Sequence, residues 1–486
     1  MSERRLTMRQ LFDGLADLPS GDWPEVSGLC LDSRQVRPGD VFVALAGANG
    51  HGMNFAAQAR DRGALAVVHD GRATLPEGLD VPELAVPDLA RHLAVLAGRV
   101  WGDAVAGLDL VAVTGTNGKT SVAWLLAQAL GGAMIGTLGR GFPGRHQTGT
   151  LTTPDIFSVY RQLAELAGQG AGCVVLEASS HALDQGRLEG LKFSSTIFTT
   201  LGHDHLDYHA DRAAYGAAKA RLFSEFESDR RLINIDDDFG ASLAETPAES
   251  LLVGYSMVGH PDARASARLL AADMNGLRAD FDLPCGRFEA HSKLIGRINL
   301  WNLLIVAAEL AERGRSVGDI IATLAGLEPA PGRMEPIGDD GTPLAIIDYA
   351  HTPDALENAL LSARELSDGE LWCVFGCGGD RDRDKRPRMG RAAERLADRI
   401  VLTDDNPRGE DGLAIIRAIQ AGMEHPQRSI VVRERPRAIE RALSSSRPGD
   451  IVLVAGKGHE TDQVIGSQRL PCDDRISVRQ ALGVAA

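Results

Sequence analysis

The run Gly115-Thr116-Asn117-Gly118-Lys119-Thr120 follows the apolar segment LDLVAV (108–113) and precedes SVAWLLAQAL, which has helical spacing. Glycines at a strand-to-helix turn let backbone N–H groups close around phosphate oxygens. The helix N-terminus adds partial positive charge. In that reading Lys119 reaches the β- and γ-phosphates of a nucleotide and the Thr120 hydroxyl reaches a magnesium ion. The strict GxxxxGK[ST] spacing is not met, because Val113 stands at the first glycine position. The bland alternative is a glycine-rich turn carrying a surface lysine.

Glu177 closes the apolar run GCVVLE (172–177). A carboxylate at a strand's carboxyl end suits the magnesium side of a nucleotide site, or is simply a solvated loop acid. His203-Asp204-His205-Leu206-Asp207-Tyr208-His209 follows STIFTT (195–200) and is dense in ligand-type side chains. Two chemistries fit. One is a zinc hydrolase, in which several His and Asp hold a metal that activates water. The other is a nucleotide-bound magnesium in which a single histidine ligates, and the phosphate loop upstream favours it. Lys219, in the alanine-rich AAYGAAKARLF, reads by itself as a surface helix lysine.

These side chains need elements to hold them. The chain has 486 residues, which at ~100–200 residues per domain predicts about three domains. Strands are expected at 40–45, 64–68 and 82–86 and a helix at 88–101, a small α/β unit spanning 1–100. Short apolar runs bounded by turn residues at 108–113, 172–177 and 195–200 suit buried parallel strands of a central domain, 101–329. Residues 240–292 show no clear period. KLIGRINLWNLLIVAAELAERG (293–314) predicts a turn and a long helix. After the proline- and glycine-rich junction PAPGRMEP, strands and helices alternate from 344 to 456. That alternation predicts a parallel, Rossmann-like C-terminal domain over 330–486, with ligands at the carboxyl ends of its strands. The fold class expected is α/β throughout.

Composition narrows the partners. Lys and Arg number 51 against 66 Asp and Glu, a formal charge of -15, so no nucleic-acid partner is expected. No ~18-residue apolar run exists to insert in a membrane. The segment MSERRLTMRQ has no apolar stretch behind it, as a secretory signal would. Six cysteines without a CxxC pair suggest a reducing cytoplasm and no structural zinc of that type. Cys30, Cys173 and Cys373, inside apolar runs, are expected in the core.

TGTNGKT, LEASSH, HDHLDYH with AAYGAAKARLF, GRINLWN, PGRMEP, IIDYAHTPDAL, GCGGDRDRDKRP, DDNPR and GKGHE occur in the order found in the Mur ligases, which the chain resembles from residue 31 to 460. The phosphate loop alone is shared with folylpolyglutamate synthetase; DNPR with GKGHE is much narrower. The resemblance implies an ATP-dependent ligase of peptidoglycan precursor synthesis. It would join meso-2,6-diaminopimelate to UDP-N-acetylmuramoyl-L-alanyl-D-glutamate as a monomer acting on small molecules. A lysine-adding or folate-type ligase is the alternative within the superfamily.

The resemblance also implies residue roles. Gly115 to Thr120 would hold ATP, with Lys119 and Arg333 on its phosphates and Asn299 and Asp348 at its adenosine part. Thr120, Glu177 and His205 would hold magnesium, supported by a carbamylated Lys219. Leu31, Ser33 and residues 48–50 would hold the UDP end. Thr152, Thr153, Ser179, Gln185 and Arg187 would line the path of the sugar-peptide. Arg381, Asp405, Asn406, Pro407, Arg408, Gly456 and Glu460 would receive the diamino acid. Leu151 and residues 48–50 depart from the pattern of many relatives. Arg408 is the candidate selector, because a carboxylate at the far end of diaminopimelate needs a cation and arginine holds carboxylates through paired hydrogen bonds.

Overall fold

The computed structural model describes residues 5–20, 23–47, 50–74, 79–149, 151–205, 208–339 and 341–484. The chain forms two compact units. The first comprises Met1–Ala112, Gly132–Ser195 and Arg221–Asp229, and the second Val113–Gly131, Thr196–Ala220 and Arg230–Ala486. The division falls inside the strands Asp109–Thr114 and Phe193–Phe198 and the helix Arg212–Ser224.

In the first unit the strands Gly28–Cys30, Asp40–Ala44, Ala66–His69 and Glu83–Ala85 form a parallel sheet in that order. Phe42, Ala44 and Val67 pack there against Met53, Ala56 and Ala59 of the segment that follows Asp40–Ala44. The expected helix is present as Leu93–Val105, after a short 3-10 turn at Leu89–His92. In the same unit Ala133–Gly136 pairs in parallel with Cys173–Glu177, and the antiparallel strands Gly139–Phe142 and Arg145–Gln147 extend beyond it. This hairpin was not expected from the sequence. Its glycines leave little apolar signal, and Gly139 has backbone of Gln147 1.8 Å from where a Cβ would sit.

In the second unit the part of the strand Ser228–Asn234 from Arg230 on, Leu251–Ser256 and Ala265–Asp273 pair in parallel, and then Gly276–Leu283 and Gly286–Ser292 return antiparallel. This is the region without a readable period. Leu277, Ala279, Phe281 and Leu283 are buried and alternate with charged residues, so a period of two was present over one strand. The neighbouring strands carry only short fragments of it. Helix Ile298–Glu312 is buried almost all round, as the apolar run foretold.

The C-terminal sheet has the order Glu335–Ile337, Leu344–Asp348, Ile451–Ala455, Leu371–Phe375, Arg399–Leu402, Ile430–Val431, parallel apart from the first pair. Alternation divides each strand between two cores. Ile451 and Leu453 face helices Pro353–Arg364, Lys385–Leu396 and Gly412–Gln420. Val452 and Val454 face helices Arg435–Ser445 and Asp474–Leu482. That is a sheet covered on both faces, with its loops free at the strands' carboxyl ends.

Cys30, Cys173 and Cys373 are buried as expected, Cys377 and Cys472 are buried too, and Cys285 is exposed. Among the described residues no helix is long and apolar enough to cross a membrane.

Candidate active site

The phosphate loop leaves the buried strand Asp109–Thr114 and enters helix Lys119–Ala129 through Gly118, whose φ of 88° is left-handed. No side chain caps this helix, so its first-turn N–H groups are placed for an anion. A Cβ on Gly115 would lie 1.9 Å from Thr199 Oγ1, so only glycine lets the loop pass so close. Lys119 does not stand out into solvent as a loop lysine would. It is the first residue of the helix, and its Nζ folds back onto the carbonyls of Gly115 (2.8 Å) and Thr116 (3.0 Å). Lys219 is buried, not a surface lysine. Its Nζ donates to the same Gly115 carbonyl at 2.9 Å and lies 4.4 Å from the Tyr215 ring centre. Burial, then the neighbouring Lys119 charge, hold its pKa well below the ordinary lysine value, against an opposing pull from Asp204.

Thr120 Oγ1 lies 3.3 Å from Arg333 Nη2. The Arg333 guanidinium stacks 4.3 Å over the Tyr349 ring, and its Nε is buried with no partner among the described residues. The junction that delivers Arg333 is packed, not a loose linker. A Cβ on Gly332 would fall 2.2 Å from the backbone of Gly458 and His459. Met334 adopts a left-handed φ of 45° and donates its N–H to Asp348 Oδ2 at 2.8 Å. Asp348 also accepts from Ala350 N at 2.9 Å. Burial raises its carboxyl pKa, and Arg333 and these two N–H groups only partly offset this.

A cavity of about 520 Å³ opens beside the loop, lined by Asn117, Gly118, Trp301, Asn302, Asp354 and Asn358, among others. Its size and its aromatic wall suit an adenine nucleotide. Asn299 and Asp348 are not among its walls. Asn299 Nδ2 donates to Ile295 O and its Oδ1 accepts from Asn302 Nδ2, so Asn299 orients Asn302, the residue that does face the cavity. The helical spacing i, i+3 was the sequence signal for Asn302.

His205 sits at a left-handed φ of 54°, exposed, with Nε2 3.4 Å from Asp204 Oδ2. Burial pushes the Asp204 carboxyl upward, but His205, His351 and Lys119 outweigh it and hold the pKa below the usual range. Asp204, part of the ligand-type run read from the sequence, thus feels the charge of the loop lysine. His209 is buried among Tyr208 and Tyr215, and His203 lies 4.0 Å from Asp354. Leu206 and Asp207 lie outside the described residues. Among the described residues no three His, Cys, Asp or Glu side chains gather as ligands of one metal.

Glu177 belongs to the first unit. It is fully buried, with Oε1 accepting from Thr137 N (2.8 Å) and Oε2 from Thr137 Oγ1 (3.1 Å). Thr137 Oγ1 lies 3.1 Å from Thr152 Oγ1. Thr153 Oγ1 donates to Glu177 O (2.6 Å) and lies 3.1 Å from Ser179 Oγ. Arg187 donates to Thr153 O (2.6 Å) and to Gln185 Oε1 (2.7 Å). All five residues expected on the sugar-peptide path therefore join one network with Glu177. Nearby in the same unit a cavity of about 850 Å³ is lined by Arg34, Arg37, Arg140, Arg161 and Leu151, among others. Its basic wall suits a phosphorylated ligand, and the spread of these arginines over 128 positions hid it from the sequence. Leu31 and Ser33 do not line it; Ser33 is buried and donates to Gln58 at 2.6 Å. Residues 48–49 lie outside the described residues, and Gly50 is exposed.

The loop Asp405-Asn406-Pro407-Arg408 leaves the carboxyl end of strand Arg399–Leu402. Asp405 is 9% exposed, and its carboxylate makes no hydrogen bond with the described residues. Asn406 Nδ2 donates to Glu460 Oε2 at 2.9 Å, which also accepts from the fully buried Lys457 at 3.0 Å. Arg408, at a left-handed φ of 50°, donates through Nη1 to Gly379 O at 2.8 Å. Its Nε and Nη2 carry no hydrogen bond with the described residues, which leaves one donor edge for a carboxylate. A Cβ on Gly456 would meet Asp405 Oδ2 at 2.7 Å, so glycine keeps that acid accessible. Arg381 is exposed on the preceding loop.

Three family models match in order: "Mur ligase family, catalytic domain" over 25–101, "Mur ligase middle domain" over 113–310, and "Mur ligase, glutamate ligase domain" over 332–458. A protein of Alkalilimnicola ehrlichii named UDP-N-acetylmuramoyl-L-alanyl-D-glutamate--2,6-diaminopimelate ligase is 47% identical, over 98% of this chain and 99% of its own. One of Xylella fastidiosa with the same name is 43% identical over 99% of this chain and 98% of its own. A solved structure of a ligase of that name superposes with a TM-score of 0.69 at 34% identity, covering 99% of both chains. With matched models over most of its length and full-length likeness to these enzymes, the chain belongs to the Mur ligase family and has its three-domain architecture.

Proposed function

We propose that this chain is an ATP-dependent amide ligase that adds meso-2,6-diaminopimelate to UDP-N-acetylmuramoyl-L-alanyl-D-glutamate in peptidoglycan precursor synthesis. The observation that carries this reading is the loop 405–408. It offers a buried carboxylate that makes no hydrogen bond with the described residues, for an ammonium group, and an open guanidinium edge for a carboxylate. An amino acid with a second carboxylate satisfies both groups. The names of the full-length relatives support it.

A free carboxylate and an ammonium do not condense usefully in water. The D-glutamate γ-carboxylate attacks the γ-phosphorus of ATP and gives an acyl phosphate with release of ADP. The diaminopimelate amine then attacks the acyl carbon, and phosphate leaves. Lys119 must let go of the Gly115 and Thr116 carbonyls to meet the phosphates. Arg333, whose Nε has no partner among the described residues, is the second cation for the charge that builds there. Thr120, Glu177 and His205 are assigned to magnesium, and their mainly oxygen donors suit a hard cation. Magnesium, when bound, neutralises phosphate charge. Lys219 is assigned as a carbamate, since burial and the Lys119 charge disfavour its ammonium form and an uncharged amine is what takes up carbon dioxide. Gly115 to Thr120 are assigned to ATP, with Asn299 and Asp348 acting on its adenosine end through Asn302 and the Arg333 loop. Leu31, Ser33, Thr152, Thr153, Ser179, Gln185 and Arg187 are assigned to the nucleotide-sugar, and Arg381, Asp405, Asn406, Pro407, Arg408, Gly456 and Glu460 to the diamino acid.

The three domains are placed at 1–100, 101–329 and 330–486, in a monomeric cytoplasmic enzyme. The test is ADP release by the purified protein. It should require both the UDP-muramoyl dipeptide and diaminopimelate, and ADP release at full rate without either one would refute the reading.

A further inference from the structure

The loop 404–408 has no regular structure of its own, so what fixes its backbone decides where Asp405 and Arg408 stand. The hairpin Asp462–Ile465 with Gln468–Pro471 does much of this. Arg408 N donates to Val464 O at 3.0 Å, Gly466 N donates to Arg408 O at 2.7 Å, and Val464 N donates to Asn406 Oδ1 at 2.9 Å. These bonds hold Arg408 in a left-handed conformation that a non-glycine residue rarely adopts. One side chain completes the clamp. Gln463 is 9% exposed, and its Nε2 donates to Asp404 O (3.1 Å) and Asp405 O (2.6 Å). Both carbonyls belong to the selector loop, and a single amide holds the pair.

We infer that Gln463 is a positioning residue for the second-substrate site, setting affinity for the diamino acid and preference over its monocarboxylic analogue. This rests on the proposed function. Gln463 touches neither the phosphate loop nor the cavity of Asn302 and Trp301, so its influence should be confined to the amino-acid substrate. Removing the amide leaves two carbonyls without their shared donor and lets the loop drift. A displacement near 1 Å is enough to cost about 10²-fold.

The experiment is steady-state kinetics of the full chain and of Gln463→Glu and Gln463→Met, varying each substrate in turn. Gln463→Glu keeps the shape and sets an acceptor against two acceptors; Gln463→Met removes both polar atoms. KM for diaminopimelate should rise by about 10²-fold. The KM for ATP, the KM for the nucleotide-sugar and kcat at saturation should stay near native. The preference for diaminopimelate over L-lysine should fall in proportion. Unchanged KM for diaminopimelate, equal losses for all substrates, or loss of the folded state in both variants would overturn the inference while leaving the ligase reading intact. A native chain that does not use diaminopimelate overturns both.

Discussion

At the scale of single residues, the lysine pair on Gly115 O is the most consequential feature. Two ammonium groups cannot comfortably share one carbonyl inside the protein, and Lys219 is the one whose pKa is driven down. Its folded-state value lies below the unfolded ~10.4. The penalty for burying it charged is therefore complete below the folded pKa and fades as pH rises toward the unfolded one. In carbon-dioxide-free buffer, Lys219→Met should be more stable than the native chain at neutral pH. It should also lose the rise in stability that the native chain shows on the alkaline side. Thermal unfolding across pH measures both. The same variant should be nearly inactive, and short carboxylic acids should partly restore Lys219→Ala by standing in for the carbamate. A Lys219→Met protein with native turnover would remove the residue from the mechanism. The sequence marked Lys219 only through a resemblance, since an alanine-rich helix gives no hint that this lysine points inward.

At the scale of elements, two clamps build the second-substrate site. The first is the buried pair Arg435–Asp474, with Nε–Oδ1 at 2.7 Å and both side chains fully buried, joining helices Arg435–Ser445 and Asp474–Leu482. Arg435 also donates to Ala455 O, at the end of the strand that leads into Gly456. Asp474→Ala leaves that guanidinium uncompensated and should cost about 3–5 kcal/mol in denaturant unfolding. A loss below ~1 kcal/mol, the range of exposed pairs, would mean the pair is solvated. The second clamp is the hairpin on the selector loop. Arg408→Ala should abolish most of the preference for diaminopimelate over L-lysine, which for a site built around one polar substrate group is about 10⁴. Paired assays with the two amino acids decide it, and an unchanged ratio in the variant would show that another group selects. The hairpin 462–471 escaped sequence reading because its strands are short and the second is exposed at every residue, so neither carries an apolar period, whereas DNPR was plain as a motif.

At the scale of the whole molecule, the net charge of -15 means that anionic substrates must be drawn in by local basic walls, such as the arginines of the larger cavity, and not by the overall field. Light scattering should return 51.7 kDa, the mass of one chain, with or without substrates. A dimer mass would contradict the monomer assigned to it. The alternation of apolar runs and helices was legible along the C-terminal third because strands buried on both faces leave continuous Val, Ile and Leu runs. The phosphate loop was legible because its chemistry needs contiguous residues. Residues 133–147 and 265–292 were not, because glycine-rich or one-sided strands dilute the pattern. The sequence by itself thus determined the α/β class, the loop 115–120 and the motif 405–408, all of them local in the chain. Tertiary structure alone decided that Lys119 and Lys219 share a carbonyl, that Arg333 reaches Thr120 across 213 positions, that Asn302 faces the cavity in place of Asn299, and that Gln463 holds the selector loop. Each of these depends on the closing of long chain loops by packing and backbone bonds, and local residue spacing carries no record of it.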